Sequence, residues 1–398
     1  SLGFRKEFLD YLGNFHFTGD VYAFREGDVV FPNEPVVRVD GTLTETQIIE
    51  TVLLNILNFE SLIATKASRM RKAAGNALLT DFGLRRAQGL GGIHASKASI
   101  MGGFDSTSNT FSAFGYGLKP SGTMAHSWIQ SYDDEIEAFR EYANIYPDSC
   151  ILLVDTYDTL KTGIPNAIQV AKEMEDKGHA LKAIRLDSGD LAYLSKKARE
   201  LLDAQGLDYV KIVASSQLDE YIIRSLNEQG ARIDAYGVGT KLVTGKEDAA
   251  LDGVYKISWC NGSPRIKISD TLEKMTLPGR KKVRRYLDSN GKFLLDGIYL
   301  ENESMPARYF HPHQPEKNTD TKGMQHEALM QQVMVRGEVV MEDRSISERA
   351  SFARERLTKL PGEHKRFENP HVYRTGISEE LMNLRDRQKI RINEKMKK

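Results

Sequence analysis

The chain has 398 residues and a mass of 44.8 kDa, enough for two or three domains or for one large α/β barrel with an attachment. Its 55 Lys and Arg residues balance 55 Asp and Glu, which argues against a non-specific binder of nucleic acid or of membrane surfaces but leaves room for a local cationic pocket. Two cysteines, Cys150 and Cys260, are too few for a disulfide framework or a thiolate zinc site and fit a reducing, cytoplasmic setting, and no apolar run approaches the ~18 residues of a membrane span.

The sequence opens Ser1-Leu2 without a methionine, and Arg5, Lys6, Glu7 and Asp10 leave no visible signal peptide, so the start reads as processed or incomplete. Residues 15–40 carry short β-rich pieces broken by Gly19, Gly27, Pro32 and Pro35, the texture of antiparallel strands with turns. At 44–75 the period changes. Thr44-x-x-Gln47 is a capping-box pattern, Ile49, Val52, Leu53, Ile56, Leu57 and Ile63 follow at helical spacing, and Gly75 is the stop.

From 77 to 258 short apolar runs close on small or acidic residues, and amphipathic stretches follow at 163–178, 190–205 and 217–230. The clearest runs are CILLVDTYDT (150–159), AIRLDSGDL (183–191), VKIVASSQLDE (210–220) and RIDAYGVGTKL (232–242). Their closing residues Asp155, Asp187, Ser215 and Gly237 stand 32, 28 and 22 residues apart, the length of a strand–helix unit. LLTDFG (78–83), SIMGGFD (99–105), LKPSGTM (118–124) and DGVYKISW (252–259) bring the total to about eight strands. This rhythm predicts an irregular (β/α) barrel, with an open doubly wound sheet as the alternative.

After 259 the strand-rich texture returns in GSPRIKIS (262–269) and NGKFLLDGIYL (290–300), where Asn290-Gly291 is a hairpin signal. Residues 305–325 read as a polar loop. The expected organisation is a strand-rich α/β sandwich domain from 1–76 plus 259–345, the barrel at 77–258, and a charged helical extension at 346–398. The basic run Arg280-Lys281-Lys282-Val283-Arg284-Arg285 reads as a solvated strand face rather than a nucleic-acid patch, and His311-Pro312-His313 as a loop without further metal ligands.

Ligands of such barrels sit at the carboxyl ends of the strands. The residues there lie in the segments Asp81–Arg86, Asp105–Asn109, Gly122–Ser127, Asp155–Asp158, Arg185–Asp190, Ser215-Ser216 and Gly237–Thr240. Small-residue loops offer backbone N–H groups to phosphate, carboxylates hold sugar hydroxyls or Mg²⁺, and arginine grips a carboxylate or phosphate. The set suits a phosphorylated, hydroxylated substrate carrying a metal. Each member also has a plainer reading: Asp155 and Asp187 as helix N-caps, Gly237-x-Gly239 as a tight turn, Arg85-Arg86 as a solvated pair, and His126 as a satisfied polar residue.

Taken in order, DFGLRRAQG, GGFDSTSN, GTMAHS, LVDTYDT, IRLDSGDL and GVGTKLVT closely resemble the nicotinate phosphoribosyltransferase family, as do FTGDVYAFREGDVVFPNEPVVRV and LPGRKKVRR. The resemblance spans most of the chain. It implies a strand-rich domain beside an irregular α/β barrel, and a homodimer with active sites near the subunit interface. It implies transfer of a phosphoribosyl group from 5-phosphoribosyl 1-diphosphate to nicotinate, with ATP hydrolysed alongside, Mg²⁺ present, and a place in NAD salvage. His126 then matches the histidine phosphorylated by ATP. Thr123, Arg185 and the stacking residue Phe82 match nicotinate-binding positions. Arg85, Ser215, Gly237, Gly239 and Thr240 match the phosphoribosyl diphosphate site, and Asp155 and Asp187 would hold ribose hydroxyls or Mg²⁺. Ser108 stands where amide-using relatives carry an acidic residue, which favours the acid substrate. Family members begin with a segment carrying a Tyr-Gln-Leu-Thr-Met-like motif that this sequence does not contain, and Tyr11 does not match its tyrosine. Nicotinamide and quinolinate transferases, or a catalytically silent barrel scaffold, are the alternatives.

Overall fold

The computed structural model describes residues 3–269 and 276–397. Contacts divide the chain into two units: Ile56–Asp252 with Ser345–Ser351, and Ser1–Asn55 with Gly253–Arg344 and Phe352–Lys398.

The first unit holds six parallel strands, Leu78–Asp81, Ser106–Thr107, Ile151–Leu153, Ala183–Leu186, Lys211–Ser216 and Ala235–Val238. Each of the last four pairs with its neighbour in sequence, and the last pairs back onto the first, Leu78 opposite Ala235 and Asp81 opposite Val238. Pairing of first and last strands is the mark of a sheet rolled toward a barrel. Between Ser106–Thr107 and Ile151–Leu153 the described residues form no ladder, and a single bridge from Thr107 to Pro120 is all that extends into the seam. The α/β class expected from the sequence stands, but with six laddered strands instead of about eight.

The missing strands have local causes. SIMGGFD begins as the end of a helix, Gly91–Met101, whose buried face is Ala95, Ala98 and Met101, and continues as a turn through Gly102 and Gly103. LKPSGTM is broken by Pro120 and Gly122 and makes only the bridge. DGVYKISW is irregular up to the short hairpin of Trp259–Cys260 with Ser263–Pro264. The helices Ile164–Asp176, Leu191–Asp203 and Glu220–Glu228 lie where the amphipathic stretches predict them. Strand residues such as Leu79, Leu152, Ile184, Ile212 and Val238 are fully buried, as parallel strands covered on both faces must be.

The capping box sits two residues earlier than expected. Thr42 and Glu45 form it at the head of Leu43–Ile48, and Glu50–Ala74 follows as a second helix, ended by Gly75 at φ +58°. That helix buries Leu62, Ile63, Ala67, Met70 and Ala74, and from Ile56 onward it belongs to the barrel unit.

The second unit is strand-rich and draws on both chain ends. Asp20–Phe24 pairs antiparallel with both Val37–Asp40 and Met330–Val335. A six-stranded sheet runs Gln314–Asp320, Arg308–His311, Thr375–Ile377, Phe293–Leu300, Lys281–Leu287, His326–Ala328. The stretch 305–325, read as a loop, is therefore largely a hairpin, with His311 and His313 at its turn and the His311 ring accepting from the N–H groups of His313 and Gln314. Gly291 turns the expected hairpin at φ +73°. The basic run is not a solvated face. Lys281, Val283 and Arg285 point into the unit, and only Arg280 and Lys282 are exposed.

Arg285 anchors this core. Fully buried, it donates two hydrogen bonds to Asp296, one at 2.8 Å, and another to Asp28 at 2.8 Å, which also accepts from Arg356. Burial pushes the Asp28 carboxyl up while both arginines pull it back down. One residue each from the N-terminal segment, two central strands and the helix Ile346–Lys359 thus meet in a single ion cluster. No described helix is long and apolar enough to cross a membrane. Removing one partner from a buried pair strands the others, so Arg285→Ala is expected to lower stability by about 3–5 kcal/mol. A shift in the urea unfolding midpoint measures it, and a change under ~1 kcal/mol would contradict this role.

Candidate active site

The strand ends of the barrel carry a cluster centred on Arg185. Its Nε donates to Ser215 Oγ at 3.0 Å, Nη1 donates to Thr123 Oγ1 and to the Met124 carbonyl at 3.1 Å, and Nη2 reaches Asp187 Oδ1 at 3.4 Å. A guanidinium has five N–H donors, so one Nη2 hydrogen is left for a ligand. The group is largely buried. Burial pushes its pKa down, Asp187 and Asp155 push it up, and the nearby charge of Arg85 pushes it down again. The site thus keeps a cation that gains from receiving an anion.

Phe82 faces this cation, with the Arg185 guanidinium 5.8 Å from its ring centroid. Two features hold the phenyl ring. Asp81, just before it, is buried and accepts from Gly83 N–H at 2.8 Å, Ser96 Oγ at 2.9 Å and Thr107 Oγ1 at 2.8 Å; burial raises its pKa. Opposite lies Gly237, where a Cβ would stand 2.3 Å from the Phe82 ring; at Gly239 a Cβ would stand 3.2 Å from the Phe82 carbonyl. Neither glycine has positive φ, so the Gly-x-Gly pair serves space for Phe82 and not a tight turn.

Asp187 accepts from Ser215 Oγ and lies 3.7 Å from His126 Nε2, while His126 Nδ1 shares a hydrogen bond with Thr156 Oγ1 at 3.0 Å. Asp155 Oδ2 accepts from the Asp187 N–H and from Ser188 Oγ, both at 2.7 Å. Its Oδ1 is buried and has no hydrogen-bond partner among the described residues. Neither aspartate is an N-cap. Asp158 and Asp190, three residues on, cap the following helical segments, accepting from Leu160 and Lys161 and from Tyr193. The motifs Asp155-x-x-Asp158 and Asp187-x-x-Asp190 therefore split one aspartate for the site from one for the helix.

Eight of the residues picked out in the sequence are thus joined: Phe82, Thr123, His126, Asp155, Arg185, Asp187 and Ser215 by contact or hydrogen bond, and Gly237 by packing. Gly239 lines the Phe82 backbone. Arg85 is exposed on the short turn of helix Leu84–Arg86 and is felt by Arg185 through charge. Ser108 is placed by its N–H, which donates to the Asp81 carbonyl at 2.8 Å. Thr240 opens the helical turn Thr240–Val243. Neither of these two side chains joins the cluster's hydrogen bonds among the described residues. Thr156 and Ser188, which orient His126 and Asp155, were not assigned a role from sequence. Their signal lay in the motifs, as a hydroxyl directly after each site aspartate.

No group of three or more His, Cys, Asp or Glu side chains stands ready for a metal among the described residues. The donor set suits a divalent cation delivered by phosphate oxygens and met by one or two carboxylates, and the orphaned Asp155 Oδ1 is an acceptor for its water or for a sugar hydroxyl. The chemistry on offer is recognition of a flat anion between Phe82 and Arg185, beside a carboxylate pair and an imidazole.

Three family models match the chain: the nicotinate phosphoribosyltransferase N-terminal domain over residues 1–58, the nicotinate phosphoribosyltransferase (NAPRTase) family over 77–299, and the C-terminal domain over 280–385. A nicotinate phosphoribosyltransferase of Bacillus subtilis is 41% identical over 391 residues, covering 95% of this chain and 79% of that protein. The human nicotinate phosphoribosyltransferase is 32% identical over 424 residues, covering 92% and 79%. Among solved structures, human nicotinic acid phosphoribosyltransferase superposes with a TM-score of 0.86 at 29% identity, covering 96% of this chain and 85% of that one. A nicotinate-nucleotide pyrophosphorylase from Pyrococcus furiosus gives 0.70 at 28% identity, covering 86% and 82%.

The fit of Phe82 against Gly237 makes a direct test. Gly237→Ala should cost roughly 1–3 kcal/mol in thermal or urea unfolding, and Phe82→Ala in the same chain should recover most of it. Additive losses in the double variant would show that the clash lies elsewhere.

Proposed function

The chain belongs to the nicotinate phosphoribosyltransferase family, and from that premise we propose that it joins nicotinate to 5-phosphoribosyl 1-diphosphate, giving nicotinate mononucleotide and diphosphate. The observation that carries this reading is Arg185, buried, pinned by Thr123, Ser215 and Asp187, with one N–H to spare and an aromatic face beside it. A pyridine carboxylate satisfies both features at once. Its carboxylate takes the guanidinium, its ring lies on Phe82, and its nitrogen is thereby aimed at the anomeric carbon of the ribose.

In the transfer, the pyridine nitrogen forms a bond to that carbon as the bond to diphosphate oxygen breaks. Asp155 and Asp187 face the ribose and stabilise positive charge growing on it. Arg85, with the Gly237–Thr240 backbone and Ser215, receives the phosphates, and Ser108 leaves the acid substrate unopposed. Mg²⁺ carried by the diphosphate, met by Asp187 with Asp155, would neutralise charge on the leaving group.

The proposal extends to ATP. His126 accepts the terminal phosphoryl group of ATP, ADP leaves, and hydrolysis of the phosphohistidine is coupled to ribosyl transfer. Thr156 on Nδ1 fixes the imidazole for this role. The reaction so written belongs to NAD salvage in a reducing compartment, carried out by a homodimer.

The assay supplies the protein with 5-phosphoribosyl 1-diphosphate, ATP and Mg²⁺, and with nicotinate, nicotinamide or quinolinate in separate arms. Mononucleotide should form from nicotinate, and a preference for either other pyridine would overturn the reading. Arg185→Ala should raise the KM for nicotinate at least tenfold, the loss of a charge-assisted hydrogen bond to the carboxylate, and equal loss for all pyridines would argue against a carboxylate contact. In His126→Ala, labelled ATP should leave no phosphoprotein and ATP turnover should uncouple from product. Unchanged ATP turnover would remove His126 from the mechanism.

A further inference from the structure

The basic run Arg280-Lys281-Lys282-Val283-Arg284-Arg285 is only partly used by the core of the strand-rich unit. Arg285 lies in the buried ion cluster, and Lys281 turns its ammonium to the carbonyls of Leu277 and Gly279 at 2.8 and 2.6 Å. Lys282 and Arg284 instead line a cavity of about 240 Å³ with Tyr22, Arg38, Tyr299 and Glu301.

Arg284 stands in the ladder opposite Gly297 on one neighbouring strand and Ala328 on the other, two small residues, with the Tyr309 ring packed against Gly297. Its Nη1 donates to His326 Nδ1 at 3.0 Å and its Nη2 to Tyr299 OH at 3.4 Å, and neither partner is an anion. Its Nε is buried and has no hydrogen-bond partner among the described residues. Across the cavity the Arg38 guanidinium lies 4.0 Å over the Tyr22 ring and is matched by Glu301 at 3.0 Å and Asp40 at 3.3 Å. Lys282 and Arg284 have no carboxylate partner among the described residues.

A half-buried guanidinium beside a lysine, with a stranded donor and no counter-ion, is an unfavourable arrangement unless an anion completes it. Like charges two residues apart on one strand face repel. Here they are held on one cavity wall, where Tyr299, directly opposite Lys282 in the ladder, and His326 on the other neighbouring strand hold the guanidinium fork. We propose that this cavity is a binding site for a small phosphate-bearing anion, gripped by Arg284 and Lys282 with Arg38 at its rim. Phosphate suits it better than a single carboxylate, because a tetrahedral dianion can take donors from several directions and matches two unpaired cations.

Every group named belongs to the strand-rich unit, and the readout is binding at His326 and not turnover, so failure of this site and failure of the transfer reading are told apart. The test follows the His326 ring protons by NMR in the full-length chain, assigned by their loss in His326→Gln, while inorganic phosphate, inorganic diphosphate or succinate is added at low salt. Phosphate or diphosphate should shift the His326 signals saturably, and succinate should do so at least tenfold more weakly. Arg284→Met should abolish the response. Lys282→Ala, an exposed change that spares the fold, should weaken it severalfold, whereas Arg85→Ala at the barrel rim should leave it intact. No saturable shift, an equal response to succinate, a response preserved in Arg284→Met and Lys282→Ala, or one lost in Arg85→Ala would each overturn the proposal.

Discussion

The candidate site depends on one pairing, that of Leu78–Asp81 with Ala235–Val238. These strands are far apart in sequence yet lie side by side in the sheet. Their pairing brings the Phe82 turn beside Gly237 and Gly239, and the ring occupies the volume that any side chain at Gly237 would need. The aromatic wall is therefore set by the closure of the sheet and not by its own loop. Asp81 adds a second tether, because a buried carboxylate without a cation must be satisfied by donors, and Gly83, Ser96 and Thr107 supply them from three separate segments.

Electrostatics then determines what the wall faces. Arg185 is costly to bury and is made tolerable by four acceptors drawn from the neighbouring strand end, its own strand end and the 123–124 loop. The same contacts lock its rotamer. A cation fixed and partly desolvated before any ligand arrives loses little entropy on binding one. Asp187 serves two masters, holding Arg185 on one oxygen and lying near His126 with the other, so the arginine end and the histidine end of the cluster share a carboxylate.

Much of this was legible in the sequence, for definite reasons. The βα rhythm marks strands ending in Asp, Ser or Gly, and ligands gather at such ends, so Asp155, Arg185, Asp187, Ser215 and Gly237 could be named without coordinates. Strand count was less legible. A short apolar run such as SIMGGFD has no period that separates a helix end from a strand, and only the packing of Ala95, Ala98 and Met101 decides it. The hairpin at 308–320 was missed because its second strand, Gln314–Asp320, is polar and exposed, which removes the alternation that marks a half-buried strand. The fate of the basic run was hidden for another reason. Whether an arginine is solvated or buried depends on Asp28 and Asp296, and no local pattern announces a partner more than 250 residues away.

The two chain ends that complete the strand-rich unit have a temporal meaning. On the ribosome, Asp20–Phe24 emerges early, yet its partner strand Met330–Val335 and the Arg356 that joins Asp28 are made only after all the strands of the barrel unit. The barrel unit lies almost wholly between them and draws on the later chain only for Ser345–Ser351. Its strands can therefore assemble while the first segment still carries an unpaired edge. Such an edge is the kind of surface on which nascent chains associate wrongly. Asp20 and Arg25 at its two ends, and Lys6, Glu7 and Asp10 ahead of it, give that waiting segment a polar, charge-mixed character suited to staying solvated until its partners arrive.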